Sequence, residues 1–160
     1  MKLVCKTIDT PLGAMLLAAH DAGLAGLWFA GQRHQPDTTG WQVVDSQTWL
    51  DQAAAEIAAY FGGTLRHFTT PCAPAWGTPF QRSVWMALAG IPWGVTTSYG
   101  ALAARLGRPK AMRAVGAAVG RNPWSIVVPC HRVLGGDGSL TGYTGGLARK
   151  QALLRIEGVL

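Results

Sequence analysis

The run Thr69-Thr70-Pro71-Cys72-Ala73-Pro74-Ala75-Trp76-Gly77 constrains the fold more than any other stretch of the chain. Proline fixes φ and removes an amide donor, so a segment this rich in proline and turn residues supports no regular element. It reads as a linker over 71–77, between a first domain at 1–70 and a second at 78–160. A chain of 160 residues with 49% hydrophobic content has ample core-forming material for one compact domain or two small ones.

The two halves carry different patterns. Short apolar runs at Leu3 to Ile8, Ala14 to Ala19 and Leu24 to Phe29 are separated by Thr10-Pro11-Leu12-Gly13 and His20-Asp21-Ala22-Gly23, which predicts an antiparallel meander. Leu50, Ala53, Ala54, Ile57 and Phe61 recur at helical spacing, and Gly62-Gly63 stops that helix. A small sheet with one covering helix follows.

The second half opens on Thr78-Pro79-Phe80-Gln81, a cap, a first-turn proline and the glutamine of a capping box. Ser98 caps a second short helix that runs through Leu106 and ends at Gly107. Pro109 reopens a third, which runs to Gly120. Two short helices joined by a tight glycine-containing turn form a helix-turn-helix, the second helix being the one presented to DNA. On one face of that helix lie Lys110, Arg113, Gly116, Ala117, Gly120 and Arg121, while Met112, Val115 and Val119 are placed inward. Interior helical glycines cost about 1 kcal/mol each relative to alanine. Something must therefore approach this backbone closely, either a nucleic-acid groove or another helix.

Charge points the same way. The net charge is +6 and the pI about 9.7, and basic residues crowd the C-terminal half, opposed there only by Asp137 and Glu157. That half is the one expected to face a polyanion. The N-terminus lacks a secretory pattern and no apolar run approaches a membrane span, so a cytoplasmic protein is expected. The cysteines Cys5, Cys72 and Cys130 are odd in number and widely spaced, which argues for reduced thiols rather than a disulfide framework. No metal site and no cofactor are expected.

The chemistry concentrates in Ile126-Val127-Val128-Pro129-Cys130-His131-Arg132-Val133, read as an apolar strand that delivers a cysteine and a histidine together. Thiolate is the nucleophilic form, and neighbouring imidazole or guanidinium groups favour it. Glu157, a carboxylate in the last turn of a helix, opposes the macrodipole and calls for a cation, which His131 or Arg132 would supply. An ordinary solvated glutamate is the alternative.

Several further segments sharpen this picture: Ile91-Pro92-Trp93-Gly94, Ser98-Tyr99-Gly100, Arg113-Ala114-Val115-Gly116, Asn122-Pro123, Tyr143-Thr144-Gly145-Gly146-Leu147 and Glu157-Gly158. With Thr78–Gln81 and Pro129–Val133 they give a chain that resembles the O6-alkylguanine-DNA alkyltransferases of the constitutive bacterial type, almost continuously from Thr78 to Gly158. The resemblance implies an α+β fold, with a ribonuclease-H-like sheet-plus-helix domain followed by a helical, winged-helix-like DNA-binding domain that holds the active cysteine.

It also implies direct, single-turnover repair of duplex DNA. Cys130 would take a methyl or other alkyl group from guanine O6, with thymine O4 as a second target. His131 is then the base acting through a water, Glu157 its orienter, Tyr99 the donor to the departing guanine, and Asn122 the residue that holds the chain beside the cysteine. Arg113 is the finger that replaces the extruded base. Ala114, Gly116, Ala117 and Gly120 form the surface that enters the minor groove. Tyr143, Thr144, Ser125 and Val133 line the pocket. The protein is expected to act as a monomer. The competing readings are a non-reactive module that binds alkylated DNA, a Cys-His hydrolase with an oxyanion hole, and a transcription regulator, which leaves Cys130 unused.

Overall fold

Strands form first along the chain because its apolar residues alternate. The computed structural model describes residues 2–160, and β1 (Val4–Ile8), β2 (Met15–His20), β3 (Gly23–Phe29) and the short β4 (Gln42–Val43) make one sheet in the order β3-β2-β1-β4. The pairs β1·β2 and β2·β3 are antiparallel, as the meander requires, and β4 joins β1 in parallel. A period of two sorts the side chains. Leu16, Ala18 and Trp28 fall on one face with Cys5, where Trp28, Trp41 and Trp76 stack at centroid distances of 5.9–6.3 Å. Met15, Leu17, Leu27 and Phe29, all fully buried, fall on the other. There lies helix α1 (Thr48–Phe61), capped by Gln47, with Lys6 of β1 paired to Asp51 at 3.0 Å.

Residues 71–77 do not behave as a free linker. Leu24 N donates to Pro71 O and Ala73 N donates to Leu24 O, both at 2.8 Å, so the segment zips onto the outer edge of β3. Just before it, the buried Glu56 of α1 accepts from the amides and hydroxyls of Thr69 and Thr70. The same β3 edge is completed from far along the chain. Leu27 N donates to Pro123 O, Ser125 N donates to Leu27 O, and the Trp124 indole donates to Leu24 O. Among the described residues, the first unit thus comprises 2–76 together with 123–125, and the second comprises 77–122 and 126–160, rather than a single cut at 71–77. An unpaired strand edge demands partners, and the chain returns to supply them. Gly26 is required at this edge, since a Cβ there would meet the Trp28 ring at 2.4 Å and Pro123 O at 2.9 Å.

The second unit is helical. Helix α2 (Pro79–Ala89) starts on the expected capping box, with the Thr78 side chain accepting from Gln81 N and the Gln81 side chain accepting from Thr78 N. After β5 (Thr97–Ser98), the Ser98 hydroxyl caps α3 (Tyr99–Arg105), and Gly107 takes φ +73° to turn the chain into α4 (Met112–Gly120). Strand β6 (Val133–Leu134) pairs with β5 in parallel, and α5 (Leu147–Ile156) closes the unit. Among the described residues, no helix is long and apolar enough to cross a membrane.

Candidate active site

Cys130 sits not at the end of a strand but at the start of a 3₁₀ turn, Cys130–Arg132. The apolar run before it reports burial, which periodicity alone cannot tell from a strand. Residues 125–127 form a turn, with Ile126 at φ +73°, a conformation that costs a β-branched side chain of order 1–3 kcal/mol. The backbone is held there from below. The Asn122 amide donates to Val128 O at 2.8 Å, and Cys130 N donates to Val128 O at 2.8 Å.

A 3₁₀ turn directs consecutive side chains about 120° apart, and His131 and Arg132 nevertheless converge on one carboxylate. Glu157, the C-cap of α5, receives His131 Nε2 on Oε2 at 2.7 Å. Arg132 grips it with a fork, Nε to Oε1 at 2.7 Å and Nη2 to Oε2 at 3.0 Å. The third guanidinium nitrogen, Nη1, donates to Ile91 O. His131, Arg132 and Glu157 are all buried. Both cations that the sequence offered as partners for Glu157 are used. The second ring nitrogen, His131 Nδ1, makes no hydrogen bond among the described residues.

Burial sets the resting protonation. It pushes the Cys130 thiol above its ordinary value, opposed by the Asn122 hydrogen bond and the Lys150 charge. It also pulls the His131 imidazole below its ordinary value, against the Glu157 hydrogen bond and charge, while Arg132 and Lys150 lower it further. The resting pair is therefore thiol and neutral imidazole. The proton must move before the sulfur can attack.

Lys150 was not foreseen. Its side chain is fully buried in α5, and Nζ donates to Val133 O at 2.6 Å and Thr141 O at 2.8 Å. Burial brings its pKa down to about 8, with the Cys130 thiolate pulling the other way. One signal was available in the sequence. Lys150 lies three and four residues before the buried Leu153 and Leu154, on the apolar stripe of its helix, where a lysine needs a partner.

Tyr99 reaches the same carbonyl rail, its hydroxyl lying 3.4 Å from Thr141 O and 3.2 Å from Gly142 O. Its phenol is raised above the ordinary value by burial and then by the nearby Cys130 charge. Tyr143 is buried, Thr144 Cγ2 lies 3.9 Å from where a Gly120 Cβ would stand, and Val133 is fully enclosed in β6. Ser125 departs from expectation. It is fully buried in the first unit, its hydroxyl 3.4 Å from Gln32 Oε1, because the β3 edge captures its backbone before the chain reaches the cysteine.

Helix α4 presents Arg113, Ala114 and Ala117 to solvent, with Gly116 and Gly120 half-buried beside them. A Cβ on Gly116 would meet nothing nearer than the Tyr99 ring at 3.7 Å. Among the described residues, the Tyr99 ring of α3 and Thr144 approach Gly116 and Gly120 only at ordinary contact distance. Val115 and Val119 point inward as expected, but Met112 is 51% exposed. The first turn of α4 lies beyond the reach of the core, and Met112 instead lies over Gly100. Arg108, just before α4, stacks on the Phe80 ring at 5.3 Å.

Comparison with known proteins gives one answer over the whole chain. Residues 3–74 match the ribonuclease-like domain of 6-O-methylguanine DNA methyltransferase and residues 79–159 match its DNA-binding domain. A methylated-DNA–protein-cysteine methyltransferase of Mycolicibacterium paratuberculosis is 47% identical over 95% of this chain and 90% of its own length. One from Methanosarcina barkeri is 44% identical over 94% of each. The crystal structure of the Mycobacterium tuberculosis O6-methylguanine methyltransferase superposes with a TM-score of 0.87 at 44% identity, covering 97% of this chain and 92% of that one. The OGT of the same organism in complex with DNA superposes equally well at 43% identity, covering 98% and 92%. With both halves matched and close relatives aligned end to end, this chain belongs to the 6-O-methylguanine DNA methyltransferase family.

Proposed function

We propose that this protein repairs DNA directly, moving a methyl or other alkyl group from O6 of guanine in duplex DNA onto Cys130 Sγ in one irreversible turnover. One observation carries the reading: a buried Cys130 shares a turn with a His131 tied to Glu157 at 2.7 Å, in the unit that also displays the basic, glycine-lined α4. In the reaction the S–C bond forms as the C–O6 bond breaks, and the bonding pair stays with guanine. The thiol proton passes to His131 Nδ1, a water being the natural carrier. Glu157 and Lys150 stabilise the imidazolium and thiolate that result. Tyr99 donates to the departing ring, which makes guanine a better leaving group. The product is a thioether, which completes the single turnover.

The target carbon lies inside the stack, so the base must be extruded at a cost of a few kcal/mol. Arg113 fills the gap, while Ala114, Gly116, Ala117 and Gly120 let the helix backbone close on the minor groove. Tyr143, Thr144 and Val133 shape the pocket, and thymine O4 is a second acceptable target. A DNA substrate and a thiol that must stay reduced support a cytoplasmic location.

The test is intact mass after incubation with excess duplex carrying one O6-methylguanine, with Cys130→Ala in parallel. One methyl increment mapped to Cys130 and absent from the variant supports the proposal. Lesion binding without modification would make the chain a damage-recognition module instead.

A further inference from the structure

We propose that Arg132 is a positioning residue that rations the Glu157 carboxylate to His131 and so sets the pH range over which Cys130 is activated. The inference rests on the reading of Cys130 as nucleophile and His131 as its base. Arg132 goes beyond a simple counter-ion. It occupies Oε1 of Glu157 alone and competes for Oε2, the oxygen on which His131 Nε2 depends. Its third contact, to Ile91 O, anchors the guanidinium to the loop just after α2, so the carboxylate plane is fixed from outside the Cys-His turn. Bidentate grips of this kind add geometric specificity to charge.

Among the described residues, the charged and titratable groups against His131 are Lys150 of α5, Glu157 at its C-cap, and Arg132 and Cys130 from its own turn. Glu157 favours imidazolium, while Arg132 and Lys150 disfavour it. An arginine that neutralises the carboxylate keeps the imidazole free to accept a proton in mildly acid solution. Without it, Glu157 would face His131 with one opposing charge fewer and hold more of the ring as imidazolium at a given pH, the form that cannot act as a base.

The experiment uses the full-length protein and the variants Arg132→Met, Arg132→Gln and Arg132→Lys. Two pH profiles are recorded for Cys130, single-turnover methyl transfer from an O6-methylguanine duplex and alkylation by iodoacetamide, each followed by the mass of the Cys130 peptide. Removing the charge in Arg132→Met or Arg132→Gln should move the acid limb of both profiles to higher pH, by on the order of one unit. Arg132→Lys keeps the charge but not the fork, so its acid limb should stay near wild type while the plateau falls by roughly tenfold. If the uncharged variants lose plateau rate with the acid limb unmoved, Arg132 is only structural and the proposal is overturned. A lysine variant with wild-type plateau overturns the geometric half, and that arm stands even if both uncharged variants fail to fold. Iodoacetamide needs no DNA, so a wild type that alkylates but never accepts methyl would sink the repair reading and leave the Arg132 result standing.

Discussion

Replacing Glu157 with glutamine keeps the side chain's shape and removes its charge, which makes it the sharpest probe of the buried network. The carboxylate now accepts three hydrogen bonds, one from His131 and two from Arg132. A glutamine can accept on one atom only, and its amide hydrogens would point at donors. Arg132, buried as it is, would lose its counter-charge. Breaking a buried pair from one side costs about 3–5 kcal/mol, which for a chain of this size corresponds to roughly 10 °C in Tm. The chemistry should suffer separately. Loss of the group that orients the base is expected to slow single-turnover methyl transfer by about 10²-fold or more, while the end point stays at one methyl per molecule because Cys130 is untouched. Since Glu157 holds the His131 proton affinity up, its loss should also move the acid limb to lower pH, opposite to the Arg132→Met shift. Thermal melting followed by two-probe spectroscopy and rapid-quench transfer assays read both effects. Full loss of stability with a rate within twofold of wild type would refute the catalytic role, and an unchanged Tm would refute the ion-pair argument.

Asn122→Ala should destabilise the second unit by about 0.5–1.5 kcal/mol, since it removes one of the two hydrogen bonds to Val128 O and leaves that carbonyl the Cys130 amide, and should slow iodoacetamide alkylation of Cys130 at neutral pH because the thiol climbs further; normal alkylation would limit Asn122 to a structural role. Arg113→Ala should reduce methyl transfer from fully paired duplex by at least roughly tenfold, the scale of losing help with extrusion, and leave transfer from a free O6-alkylguanine base unchanged. Equal losses on both substrates would move Arg113 out of the flipping step. For Glu56, burial raises the carboxyl but its bonds to Thr69 and Thr70 outweigh that and hold it below the ordinary carboxylate value. Its contribution to the first unit is therefore complete above about pH 4.3 and is lost as pH falls through the lower folded value. Denaturant titrations of Glu56→Gln should show a weaker acid dependence than wild type over that window.

What the sequence disclosed, and what it hid, divides along the range of the interactions involved. The capping box at Thr78–Gln81, the Ser98 cap and the Gly107 turn are settled within four residues of chain, and each stands where local chemistry put it. The meander was equally legible because a period of two is also local. The errors lie where distant segments compete. Residues 126–128 look like a strand, yet β3 claims the backbone at 123–125 and Asn122 holds Val128 O, so the run bends into a turn. Met112 fits an inward stripe on paper but sits in a first turn that leaves it half-exposed over Gly100.

The site shows the same division. Cys130 and His131 are neighbours in sequence, so their pairing was visible, and Glu157 could be suspected because a carboxylate at a helix C-terminus needs a cation. That Arg132 and His131 would share its two oxygens, and that Lys150 would bind the Val133 and Thr141 carbonyls, depends on packing α5 against the Cys-His turn. This packing also explains why the site tolerates so much buried charge. Each of the two cations has work that an apolar side chain would leave undone, Arg132 holding the carboxylate and the Ile91 carbonyl and Lys150 a pair of carbonyls. The Lys150 charge favours the Cys130 thiolate, which in the proposed reaction exists only after His131 has taken the proton. The positive charge therefore acts on the state in which the sulfur attacks rather than on the resting thiol.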